Sequence, residues 1–108
     1  MLEGFWIFRI QPPPVSSGGV MMFALGKVYG GDSGFAWVGT YSVSNNIIRA
    51  RVRVHNFDHD IKSVLGLEGD YDMHFSGTQT GDTIVGTALI ANQPQHSLAI
   101  RLEKYAQL

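Results

Sequence analysis

The amino-acid sequence predicts an all-β chain, a single domain of about eight short strands spanning residues 1–108. Three observations carry this. Thirteen glycines cut the chain into short segments rich in Val, Ile, Phe, Tyr and Thr, the pattern of strands bounded by turns. Residues 47–56 alternate strictly, with Ile48, Ala50, Val52 and Val54 against Arg49, Arg51, Arg53 and His55, so one face is buried and one is wet. Turn pairs such as Asn45-Asn46 and Gly81-Asp82 separate neighbouring segments and supply the positive φ that hairpins need.

Taken in order, residues 3–11 form the first strand, and Pro12 to Pro14 end it because proline cannot donate to a ladder. Strands follow at 18–25 and 27–30, with the turn at Gly26-Lys27, and then at 34–43 and 47–56. The segment 57–69 differs. Asp58 and Asp60 can cap a helix start, and Ile61, Val64 and Leu65 fall at helical spacing, so one short helix or an irregular loop is expected there. Three more strands are expected at 71–78, 82–91 and 97–105, the last entered through a turn at Asn92 to Gln95.

The first strand is apolar on both faces, with Trp6, Phe8 and Ile10 opposing Phe5, Ile7 and Arg9. In the fourth, Trp37 and Tyr41 oppose Ala36 and Val38. Apolar surface left outside a small sheet calls for cover, and Phe5 and Ile7 are the candidate self-association face of a homodimer. Trp6, Phe23, Trp37, Met73 and Phe75 are the candidate pocket residues, since eight strands enclose either a filled core or one small ligand. Side-chain spacing does not settle which face is interior.

Composition narrows the chemistry. The 108 residues carry a net charge of −1, which argues against a general nucleic-acid or anionic-membrane binder. With no cysteine, a disulfide scaffold, a thiol nucleophile and a Cys-type zinc site are excluded, and a cytoplasmic location is favoured. No apolar run approaches the ~20 residues of a membrane helix, and the N-terminus lacks the basic start and cleavage site of a signal peptide.

Gly31-Asp32-Ser33-Gly34 has the lettering of a serine-protease nucleophile. Such a serine needs a histidine base, a buried acid and an oxyanion hole. The four histidines, His55, His59, His74 and His96, sit in no base motif, so Ser33 is read as a turn residue. His55 and His59 have the spacing of some zinc pairs, but a metal needs three or four converging ligands. No catalytic residue, metal site or cofactor is expected. Arg49, Arg51 and Arg53 make a basic stripe. With Tyr41 on the neighbouring strand they are the candidate surface for an acidic protein partner.

A further pattern runs through residues 3–105: Gly4-x-Trp6, Gly18-Gly19-Val20, Gly30-Gly31-Asp32, Gly39 with Tyr41, Val52 to His55, Ser63 to Leu65 and Asp70-Tyr71. In this order it resembles the small lipocalin-like β-barrel family that includes GrlR, the negative regulator of type III secretion genes. The resemblance implies a single antiparallel up-and-down barrel of about eight strands that dimerises and sequesters a transcriptional regulator by protein contact, without enzymatic chemistry. It makes Gly30, Gly31 and Asp32 a fold-marking turn at a barrel corner. The family's regulator presents an acidic turn between the fourth and fifth strands. Here that turn is Ser42 to Asn46 and holds no acid, so the fold is implied and the partner-binding residues are not. A carrier or sensor of small apolar ligands is the alternative.

Overall fold

In the computed structural model the described residues are 2–11, 18–61 and 69–108. They form eight antiparallel strands that close into an up-and-down barrel. The strands are β1 (Gly4–Gln11), β2 (Gly18–Ala24), β3 (Lys27–Gly31), β4 (Phe35–Ser44), β5 (Ile47–Asn56), β6 (Tyr71–Thr80), β7 (Thr83–Ile90) and β8 (Gln93–Ala106). Each pairs with its chain neighbour, and β8 returns to pair with β1, Phe8 opposite Leu102. Closure leaves no free sheet edge.

Closure also settles which face is inside. Trp6, Phe23, Val28, Ile48, Ile84 and Leu102 are the largest fully buried side chains. In β5 every second residue from Ile48 to Asn56 is buried, and the arginines between them are exposed. From Ile48 to Asn56 the charged side chains of β5 thus point outward and the aliphatic ones inward. Among the described residues no helix is long and apolar enough to cross a membrane.

Local sequence explains the connections. Leu25-Gly26 joins β2 to β3 with φ of 51° and 78°, and Asn45-Asn46 joins β4 to β5 with 54° and 66°, the double positive φ of a type I′ turn. The first turn thus lies one residue before the expected Gly26-Lys27, and Lys27 starts β3. β8 begins at Gln93, not residue 97, because Ala91-Asn92 alone makes the turn. Pro94 is then accommodated where the register shifts from Leu89↔Ser97 to Ile90↔Gln93, a bulge that spares it a ladder bond. Of the segment expected as a helix or loop, 57–61 is extended chain and turn; residues 62–68 lie outside the described residues.

Gly30 and Gly31 are strand residues of β3, opposite Trp37 and Ala36, and neither has positive φ. The bend itself is Asp32 to Gly34, where Asp32 Oδ1 accepts the N–H groups of Gly34 and Phe35, both at 3.0 Å. Gly30 is needed for close approach: a Cβ there would collide with the Trp37 indole and with the Val20 carbonyl.

Two stability predictions follow from this backbone. Leu25 holds left-handed φ while 88% exposed, a conformation that costs an L-residue about 1–2 kcal/mol. Leu25→Asn should therefore raise unfolding free energy by about 1 kcal/mol in urea titration. Gly30→Ala should lower it by about 1–3 kcal/mol, the usual cost of overpacking, since both clashing groups belong to paired strands.

Candidate functional site

The barrel is filled at one end and hollow at the other. At the end where β1 starts, Trp6 packs edge-on against Phe23 at 6.3 Å, and Phe23 against Tyr41 at 5.2 Å. Trp6 Nε1 donates to the Leu2 carbonyl at 2.8 Å, and the Lys104 ammonium sits 5.4 Å from the indole centroid. This end is solid. Toward the other end the interior opens into a cavity of about 270 Å3, floored by Phe23 and Leu102.

Register shows why the space exists. One interior row runs Tyr41, Ala50, Phe75, Ala88, Leu98 across β4 to β8. Large and small side chains alternate along it, as barrel interiors require, and the two alanines leave the wall recessed. Met21 and Met73 add adaptable thioethers. Phe8 and Trp37 meet edge-on at 5.0 Å on the opposite wall.

Of the expected pocket residues, Phe23, Trp37, Met73 and Phe75 line this cavity, and Trp6 lies beneath it in the solid base. Among the described residues, the only ionisable groups lining the cavity are Asp32 and Tyr71. No cation does. Trp37 Nε1 is buried without a hydrogen-bond partner, which leaves a donor short of an acceptor at a cost of about 1–3 kcal/mol.

At the rim of the hollow end, Asn56 clasps three segments. Its Nδ2 donates to the Ile61 carbonyl at 2.9 Å and the Gly34 carbonyl at 3.4 Å, and its backbone N–H donates to Asp70 Oδ1 at 3.0 Å. The buried amide was missed in the sequence, although one signal was present: it occupies the inward register position after Ile48, Ala50, Val52 and Val54. His55 Nδ1 donates to Asp70 at 3.0 Å. That bond first, then the Asn56 N–H, hold the Asp70 carboxyl below its ordinary range, and the charges of His55 and Arg53 act in the same direction.

The outer face separates groups expected together. Arg49, Arg51 and Arg53 face solvent, but Tyr41 opposes Ala50 and packs inward on Phe23. It is removed from the arginine surface by the sheet itself, because it shares the register of Trp37 and not of Thr40 or Ser42. Trp37 faces inward for the same reason. Phe5 and Ile7 are half-buried on the outer face, opposite Met22 and Val20. Ser33 sits at the tip of the Asp32 bend, exposed and at the cavity mouth, and no histidine bonds to it among the described residues. Among those residues no cluster of three His, Asp or Glu could hold a metal; the side chain of His96 is not among those described.

The chain matches no protein-family model, and a search of curated proteins returns no relative.

The rim cluster predicts a pH signature. A carboxylate with lowered folded-state pKa contributes stability above its unfolded value of about 3.9 and loses it as pH falls through the folded value. Asp70→Asn should thus melt below the parent at pH 7, with the gap closing below about pH 4. A gap that persists unchanged to pH 2.5 would show that the carboxylate's charge has no part in it.

Proposed function

We propose that this protein is a non-enzymatic binding barrel whose hollow end takes a small, uncharged, largely aromatic ligand. The single observation carrying this reading is the apolar cavity of about 270 Å3 in an otherwise filled barrel. An apolar void of ~150 Å3 is enough for a benzene-sized molecule, and drug-sized ligands use ~300–1,000 Å3. The space therefore suits one or two fused rings. Among the described residues no cation lines the cavity, so a buried carboxylate would lose its hydration without a partner there, and Asp32 at the mouth would repel it. A cytoplasmic place remains part of the proposal.

A second observation favours protein contact as the barrel's outer role. Phe5, Met22, Tyr29 and Val38 stand in one register row across the outside of β1 to β4, and Tyr29 and Val38 are 46% and 52% exposed. Such a row suits self-association. Self-association through this row is in keeping with the resemblance to the GrlR-type regulators, and we propose that the barrel, like them, acts as a dimer that sequesters a transcriptional regulator.

Differential scanning fluorimetry tests the cavity. 2-Naphthol at a hundredfold excess over Kd should stabilise the barrel by about 2.7 kcal/mol, and 2-naphthoate should leave it unchanged. Ala88→Phe, which fills the recess, should fold and lose the response. Stabilisation by naphthoate equal to that by naphthol would sink the charge selection. For the outer row, Tyr29→Glu should convert a dimer to monomer in light scattering, and a parent that is monomeric throughout the micromolar range would end the dimer reading.

A further inference from the structure

The outer face of β5 is charge-neutralised at one end only. Toward the cavity mouth Arg53 pairs with Asp72 at 3.2 Å and His55 with Asp70 at 3.0 Å. Toward the filled end, neither Arg49 nor Arg51 has an ion pair among the described residues. Arg51 lies in register between Thr40 and His74, with Lys27 one strand beyond Thr40. Arg49 lies between Ser42 and Ser76. From β3 to β7 these rows carry Lys27, the two arginines, His74, hydroxyls and one apolar residue, Leu89, and no carboxylate.

Exposed charges on strands commonly guard a free edge against pairing with other chains. That role is not required here, because β5 is bonded along its length to β4 on one side and to β6 on the other. The same bonding prevents a partner from adding a strand, so recognition on this face must run through side chains. Guanidinium groups grip carboxylates with paired hydrogen bonds, and alternate residues of a strand stand about 6.6–6.8 Å apart. An extended acidic segment repeats its same-side carboxylates at that interval.

We propose that the outer face of β5, centred on Arg49 and Arg51, binds an extended acidic segment of a partner protein with carboxylates on alternate residues. Complementary charge in matching repeat is what selects this partner. Single-stranded nucleic acid would need aromatic platforms beside the cations, and the aromatics of the two adjoining strands, Phe35, Trp37 and Tyr41 on β4 and Tyr71 and Phe75 on β6, face the interior. The surface is separate from the cavity and stands whether or not the cavity is occupied.

Fluorescence anisotropy with a labelled peptide of alternating Glu and Thr tests it, with the Gln-for-Glu peptide and oligo-deoxythymidine as comparisons. The acidic peptide should bind, weaken steadily as salt rises, and bind about tenfold more weakly to Arg49→Gln/Arg51→Gln, a loss of about 1.4 kcal/mol. Arg101→Gln on β8 should bind as the parent does, and the Gln peptide should not bind. Absence of binding to the parent overturns the proposal, as does affinity that the double substitution leaves intact. Tighter binding of oligo-deoxythymidine than of the peptide overturns it in favour of nucleic acid.

Discussion

The seam between β1 and β8 turns a ribbon of eight hairpin-linked strands into a ring, and the remaining features depend on that ring being closed. Until the seam forms, β1 is an edge with apolar side chains on both faces. Once Phe8 stands opposite Leu102, the Trp6, Phe8 and Ile10 series is enclosed and the Phe5, Ile7 and Arg9 series is outside. The seam is also the most non-local contact in the molecule, joining the first strand to the last. Its loop-closure entropy comes due before most of the burial is gained.

Inside the ring, filling is uneven because residue sizes are uneven along the axis. Trp6, Phe23, Val28, Ile48 and Ile84 complete one end, and Trp6 has its polar nitrogen satisfied by Leu2. Nearer the mouth, Ala50 and Ala88 flank Phe75 in one row, and neither alanine reaches the opposite wall. Leaving that volume open forgoes packing energy that a larger side chain would supply, on the order of 24 cal/mol per Å3 where a void stays unfilled. The contrast between Trp6 and Trp37 repeats the point in polar terms: the first donor is paired in the solid end, and the second is orphaned beside the void.

Much of this was legible in the sequence, and the parts that were not share a cause. β5 could be read outright, because an Ile-Arg-Ala-Arg-Val-Arg-Val run has one polar and one apolar face. β1 and β4 have two apolar faces, so their sidedness waited on closure. Tyr41 was placed with the arginines on chain proximity, yet side follows register, and a shift of one residue reverses it. The recess at Ala50 and Ala88 was hidden for the same reason. Each alanine is an ordinary strand residue, and only cross-strand pairing brings both against Phe75. Gly30 is implied by the resemblance as part of a corner turn, whereas what matters there is the indole lying over it, a contact between strands.

β5 carries both proposed surfaces on one backbone. Ala50 and Val52 face the cavity and Arg49 and Arg51 face outward, so residues adjacent in sequence act on opposite sides of a single sheet. Linkage between two sites requires an element with two arrangements that both ligands bias. β5 is a poor candidate for such an element: ten residue pairs tie it to β4 and eight to β6, and a slip by one residue would place arginines in the core. The two faces are therefore expected to bind independently. If they do communicate, the route is the rim, where His55 on the outer face and Asn56 on the inner one both bond to Asp70. Occupancy of the cavity that disturbed Asn56 would act on Asp70 directly, and through it on the charges beside Arg53.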